Sequence, residues 1–152
     1  MAAKTRLLFT IPALNRVCFC GGRRHIEAMT PPRLVLAASI LGFTGVGLGA
    51  FGAHGLKAAL EAGNQVESWK TAVFYQLVHA VALLALPGCP ASAATKAGWC
   101  WLAGVVCFSG SLYWIALGGP AKMLWPVTPL GGLLLLAGWA VLIAAAFRKT
   151  DA

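Results

Sequence analysis

Four long apolar runs constrain the fold of this chain more than any other feature. They lie at about 34–53, 69–86, 97–117 and 127–147, and each approaches the roughly 20 residues that a helix needs to cross the hydrocarbon core of a bilayer. Only 11% of the residues are charged, against roughly 25% in soluble domains. The chain therefore lacks the polar surface of a water-facing globule. We predict an all-α fold, an integral membrane bundle of four transmembrane helices.

The segment before the first run is basic and differs from the rest. Residues 1–28 form this tail, and residues 29–152 form the predicted four-helix transmembrane domain. The apolar stretch at 7–14 is too short to span a bilayer. Met29 stands directly before Thr30-Pro31-Pro32 and the first run. Three interpretations of the tail follow: a disordered basic extension, a basic mitochondrial transit peptide, or residues upstream of a true start at Met29.

The distribution of Lys and Arg predicts the orientation. Nine of them flank the runs on the side of the two termini, and three flank the opposite side. The positive-inside rule then places both termini in the cytoplasm. With a start at Met29 the counts become four and three, and the orientation is weakly determined. Because the basic residues form no stripe with interleaved aromatics, the net charge of +8 does not indicate nucleic-acid binding.

Small residues recur at helical spacing and predict close helix packing. In lipid, helices associate mainly where small side chains let their backbones approach. Runs one, three and four all carry such residues, and those predicted to pack are Gly42, Gly45, Gly49, Gly52, Gly104, Ser111, Gly131 and Gly138.

His79 is the main candidate for a functional residue. It lies near the middle of the second run, where ionisable groups are rare and face the bundle interior. Tyr75 and Gln76 precede it by about one turn, on a similar face. One interpretation makes this face a proton relay, a ligand site or a substrate contact. The other, which we favour, is a neutral His that donates one interhelical hydrogen bond.

A second histidine, His54, ends the first run. It is predicted to cap the helix C-terminus near the outer interface, and a joint site with His79 would require the first loop to dip inward. One His with one Gln does not supply the three or four ligands that zinc prefers. We therefore predict no metal site and no cofactor.

Other polar and aromatic residues have simple structural interpretations. One interpretation is a small cavity opening outward, and the other is a set of interhelical hydrogen bonds. The residues concerned are Tyr75, Gln76, Ser109, Ser111, Tyr113 and Thr128. Four tryptophans near predicted span ends are typical of an interfacial belt; they are Trp99, Trp101, Trp114 and Trp125.

Catalytic signatures are missing from the sequence. The spans contain no Asp or Glu, so a catalytic triad or a carboxylate pair at membrane depth is not indicated. We predict no catalytic residues and no enzyme activity. The predicted function is that of a structural or assembly partner in the membrane, contacting lipid and either itself or another membrane protein. The alternative is a small transporter or channel subunit that uses the polar face around His79.

Ordered motifs along the chain resemble one family. They are Gly49-Ala50-Phe51-Gly52-Ala53-His54, Tyr75-Gln76 with His79, Phe108-Ser109-Gly110-Ser111-Leu112-Tyr113, Val127-Thr128-Pro129-Leu130-Gly131-Gly132, and Ala137-Gly138-Trp139. Together they resemble the domain of unknown function 423 family, which includes bacterial inner-membrane proteins and the eukaryotic transmembrane protein 256. The resemblance implies four helices and a location in the bacterial inner (plasma) membrane, or in a mitochondrial membrane if the source is eukaryotic. It implies no biochemical activity.

Overall fold

Four long helices dominate the computed structural model, which describes residues 31–124 and 126–150. They are α1 (Pro31–Ala53), α3 (Val66–Ala85), α4 (Ala91–Ala116) and α6 (Val127–Thr150). Each contains a stretch long and apolar enough to cross a bilayer. The predicted all-α, four-helix architecture is confirmed. The basic tail at 1–28, the question of Met29, and Trp125 lie outside the described residues.

Local sequence signals explain where the helices begin and end. Proline suits the first helical turn, where its missing N–H is not needed, and Pro31 and Pro32 begin α1. A 3-10 turn at Leu86–Gly88 closes α3. Beyond α4, Gly118 has φ +88°, the left-handed conformation that glycine commonly supplies just after a helix C-terminus.

Two short helices lie in the connections at one end of the bundle. They are α2 (Lys57–Ala62) and α5 (Ala121–Leu124). The boundary that differs most from the sequence prediction is the start of α4, which begins at Ala91. This six-residue difference changes the interpretation of Trp101, described below.

The backbones of the long helices approach one another mainly in sequence order, and α3 and α6 also meet through the side chains of His79 and Trp139. Helix α1 packs against α3, α3 against α4, and α4 against α6. The outer helices are therefore the less enclosed ones, with 17% of the membrane-spanning window buried in α1 and in α6, against 33% in α3 and α4. The main core takes residues from all four long helices and includes Ala38 of α1, Leu83 of α3, Trp101 of α4 and Leu135 of α6.

Candidate functional site

The His79 side chain is enclosed, with both ring nitrogens engaged. It is 3% exposed. Its Nδ1 lies 2.8 Å from the carbonyl oxygen of Tyr75, and the indole nitrogen of Trp139 donates to its Nε2 across 3.3 Å. Because Nε2 accepts, the ring proton lies on Nδ1 and is donated to Tyr75. His79 is thus a neutral tautomer, but it accepts the interhelical bond that we had predicted it to donate.

Aromatic rings surround His79. The Tyr75 ring stacks on the imidazole, with 6.2 Å between the ring centroids and 13° between the ring planes. The rings of Trp101 and Trp139 approach the imidazole edge to face, with centroid distances of 5.7 and 6.2 Å. The centroids of these two indole rings lie 4.8 Å apart. The side chain that looked like a functional residue in the sequence is therefore the centre of an aromatic cluster from α3, α4 and α6.

The prediction that Trp101 belongs to an interfacial belt is wrong. Trp101 is 1% exposed, and its indole N–H donates to the Leu135 carbonyl oxygen across 3.2 Å. Since α4 begins at Ala91, Trp101 lies ten residues, about 15 Å, from its start. Trp99 and Trp114, each 54% exposed, face outward. Trp101 looked interfacial only because the predicted third span began at residue 97, which placed Trp101 near its start.

Gln76 joins three helices. Its Nε2 donates to the Leu41 carbonyl oxygen across 2.9 Å and to Thr44 Oγ1 across 2.8 Å. Its Oε1 accepts a hydrogen bond of 3.0 Å from the Tyr113 hydroxyl. With both amide protons and the carbonyl oxygen engaged and the residue 4% exposed, Gln76 is satisfied. The sequence identified Gln76 but missed Thr44, the polar residue in mid-span that could have signalled its partner.

The structure does not unite the predicted candidates into one site. Gln76 connects α3 to α1 and α4, whereas His79 connects α3 to α6. Tyr75 is 38% exposed. His54 is exposed and lies immediately beyond the end of α1, near the level of Trp69 in α3. His79 lies ten residues after Trp69, about 15 Å farther along α3. In the part of the chain that the structure describes, no three His, Cys, Asp or Glu side chains lie close enough to hold a metal ion.

Glycines of α1 lie against α3. A Cβ added at Gly45 would lie 2.7 Å from Leu77 Cδ2, and one at Gly49 would lie 3.3 Å from Val73 Cγ1. At Gly52 it would collide with the Trp69 ring, whose N–H donates to the Leu48 carbonyl oxygen across 3.0 Å. A Cβ at Gly42, in contrast, would meet nothing within 4 Å, so the structure gives Gly42 no packing contact of this kind.

A second set of small residues lies between α4 and α6. A Cβ at Gly104 would lie 2.9 Å from Leu135 Cγ, and one at Gly138 would collide with the Trp101 ring. At Gly131 it would collide with the backbone of Phe108. Ser111 was also predicted to pack, and its hydroxyl oxygen lies 2.6 Å from the hydroxyl oxygen of Thr128 in α6. The small residues thus set how closely these two helices approach.

Two neighbouring serines of α4 differ in their hydrogen bonding. Ser111 Oγ donates to the Phe108 carbonyl oxygen across 2.9 Å and can accept from Thr128. Ser109 is 1% exposed, and its Oγ has no hydrogen-bond partner among the described residues. A buried hydroxyl without a partner costs about 1–3 kcal/mol.

Exchanging each serine for alanine should therefore change stability in opposite directions. We expect Ser109→Ala to raise the free energy of unfolding by about 1 kcal/mol, since it removes an unpaired polar group. Ser111→Ala should lower it by about 0.6 kcal/mol, the mean for a hydrogen bond between membrane helices. Reversible unfolding in mixed micelles measures both. A loss of stability in Ser109→Ala would show that its hydroxyl has a partner.

The comparisons with known proteins identify the family. Residues 48–132 match the family described as "Protein of unknown function (DUF423)", and these residues are more than half of the chain. This chain belongs to the DUF423 family. The expected resemblance is thereby confirmed over the motifs from Gly49 to Gly132.

Named relatives of this DUF423 protein occur in bacteria and in yeast. A UPF0382 membrane protein of Staphylococcus haemolyticus is 39% identical over 117 residues, covering 75% of this chain and 94% of the relative. The UPF0382 membrane protein YwdK of Bacillus subtilis is 37% identical over 119 residues, covering 75% and 95%. A UPF0382 membrane protein of Schizosaccharomyces pombe is 34% identical over 111 residues, covering 70% and 94%. No solved structure matches the chain.

These relatives agree with the architecture. All three are named as membrane proteins, and this DUF423 protein has four helices that can span a bilayer. It is a multi-pass membrane protein. The family has no established biochemical activity to carry over.

Proposed function

We propose that this DUF423 protein is a structural component of its membrane, without enzyme activity, that packs against a partner in a larger complex. The observation that carries the proposal is the enclosure of His79, whose two ring nitrogens are both hydrogen-bonded. A proton relay or a substrate site needs a side chain that can exchange partners. Here the most unusual polar residue in the spans serves to hold α3 and α6 together.

The transporter alternative expects a polar cavity that reaches His79. Two grooves lie at the α2 end of the molecule. One, of about 660 Å³, lies between α1, α2 and α3, and the other, of about 300 Å³, lies between α2 and the end of α4. His79 lines neither of them. The enclosure of His79, which is 3% exposed, therefore favours the structural role over transport.

An enzyme would need acidic groups or further ligands beside a histidine. Within 31–150 the acidic residues are Glu61 and Glu67. Both are exposed, and they pair with Lys57 and Lys70 in the connection and at the start of α3. His79 lies deeper along α3, among aromatic rings. This arrangement supports the proposal of a protein without catalytic residues.

We propose the bacterial plasma membrane as the location of this protein, since bacterial relatives are named as membrane proteins. We place both termini in the cytoplasm on the strength of the Lys and Arg distribution. A eukaryotic chain would belong to a mitochondrial membrane. Its partners are lipid and either a second copy or another membrane protein, and nucleic acid is not among them. The outer helices α1 and α6 are the least enclosed, so we assign the partner to their outward faces.

A photoreactive amino acid at these faces tests the proposal. Phe43 of α1 and Leu133 of α6 are 84% and 63% exposed, and Val106 of α4, 69% exposed, is the control on an inner helix. We expect irradiation of intact membranes to give a discrete protein adduct from Phe43 or Leu133 and none from Val106. A strictly monomeric protein in mild detergent, with no adduct from any position, would contradict the proposal.

A further inference from the structure

The groove between α1, α2 and α3 is large enough for a small amphiphile. Its volume is about 660 Å³, within the roughly 300–1,000 Å³ of ligand sites. Gly49 and Ala53 of α1 line one wall, and α3 lines the other.

The lining of the groove changes from charged to apolar along α3. Lys57 and Glu61 of α2 lie at one end, with Lys70 close to the start of α3. Phe74 and Leu77 follow Lys70 on the same helix face and line the rest. Lys70 and Leu77 are seven residues apart, about 10 Å along the axis. In a bilayer, the groove therefore runs from the headgroup level at the end of the span toward the acyl chains.

The lysines at this end are available to an anion. Lys57 lies 3.9 Å from Glu61, and Lys70 lies 2.8 Å from Glu67, with both lysine side chains 66% exposed. Exposed ion pairs of this kind contribute about 0–1 kcal/mol, so a phosphate can replace either carboxylate at low cost. Since two lysines and one glutamate line the groove, its charge also complements an anion.

The lining of the groove fits a lipid better than a helix. A single acyl chain is thinner than a helix, which with its side chains is about 10–12 Å in diameter. A phospholipid also carries its phosphate at the end where the lysines lie, with its acyl chain at the depth of the apolar lining.

We propose that this groove binds one phospholipid molecule, with its phosphate at Lys57 and Lys70 and an acyl chain along Phe74 and Leu77. This inference is independent of the protein partner proposed for the outward faces of α1 and α6. It assigns to the α2 end of the bundle a specific lipid site, distinct from the general contact that every membrane helix makes with lipid.

Native mass spectrometry of the full chain in detergent, with added phosphatidylglycerol, phosphatidylcholine or inorganic phosphate, tests the site. We expect one retained phosphatidylglycerol, weaker retention of phosphatidylcholine, and no displacement of lipid by inorganic phosphate. Ala53→Trp, which fills the groove, should abolish retention of the lipid. Ala50→Trp is the matched control, because Ala50 is also an exposed alanine of α1 but does not line the groove.

A second pair of variants tests the charge at the groove without altering its shape. Lys57→Gln with Lys70→Gln should reduce retention of phosphatidylglycerol at least tenfold, and Lys96→Gln with Lys122→Gln, at exposed positions away from the groove, should leave it unchanged. Since these substitutions are at exposed positions, they keep the test valid if Ala53→Trp fails to fold. Equal retention in the groove and control variants would overturn the proposal. So would a dimer without lipid that Ala53→Trp converts to a monomer, because a second copy would then occupy the groove.

Discussion

Replacing Gly131 by alanine is expected to lower the free energy of unfolding by about 2–3 kcal/mol, the upper part of the range for an overpacked core. The added Cβ would lie 2.8 Å from Phe108 Cα and 2.9 Å from the carbonyl carbon of Cys107. These are backbone atoms within α4, and they cannot rotate aside as a side chain can. Relief requires α6 to move away from α4, which would loosen the other contacts along this interface.

The neighbouring glycine provides a matched control for this substitution. A Cβ at Gly132 would lie 3.8 Å from the nearest atom of Phe108, an ordinary contact distance. Gly132→Ala makes the same chemical change one residue farther along the same helix, so it matches the effect of alanine on helix propensity. Reversible unfolding in mixed micelles should show a large loss for Gly131→Ala and none for Gly132→Ala. Equal stabilities would contradict the close approach of α4 and α6 at this point.

Removal of the Trp101 ring should be the most destabilising single truncation, by about 3–5 kcal/mol on the scale of buried aromatic-to-alanine changes. Trp101 is 1% exposed, packs against the rings of His79 and Trp139, and donates to the Leu135 carbonyl oxygen. Trp101→Ala would leave a cavity between α3, α4 and α6. It would also leave that carbonyl without its indole donor.

Two comparisons separate the packing effect of Trp101 from its hydrogen bond. Trp101→Phe keeps a ring but loses the indole N–H. It should cost about 1 kcal/mol of stability for the lost hydrogen bond, together with a smaller loss of packing than in Trp101→Ala. Trp99→Ala, two residues away and 54% exposed, should change stability by about 0.5 kcal/mol or less. Reversible unfolding of the three variants in the same micelles measures the order of their stabilities. If Trp101→Ala were no less stable than Trp99→Ala, Trp101 would not be a core residue.

The helix packing shows which contacts could be predicted from local spacing. The regular small residues of α1 indicated a packing face, and Gly45, Gly49 and Gly52 do lie against α3. The spacing did not say that Gly42 would face open space, nor which helix would be the partner. Those facts depend on the rotation of each helix about its axis, which is set by all its neighbours together.

The candidate site shows the same division. Their positions within an apolar run singled out His79 and Gln76, because polar residues in mid-span are costly unless they find partners. The sequence also grouped Tyr113 with Gln76, and the two do share a hydrogen bond. Trp139, the partner of His79, could not be predicted, since it lies on a helix 60 residues away in the chain. Tryptophan at a span end is typical of the interface, and this general pattern concealed the core position of Trp101.

The sequence by itself determined that this protein has four membrane-spanning helices, because length and hydropathy are local properties of each segment. Only the tertiary structure decided which faces of those helices meet. In a bilayer the lipid is as apolar as the protein interior, so hydropathy does not distinguish a core face from a lipid face. Contact geometry does, and it made His79 the centre of an aromatic cluster and left an open groove between α1 and α3.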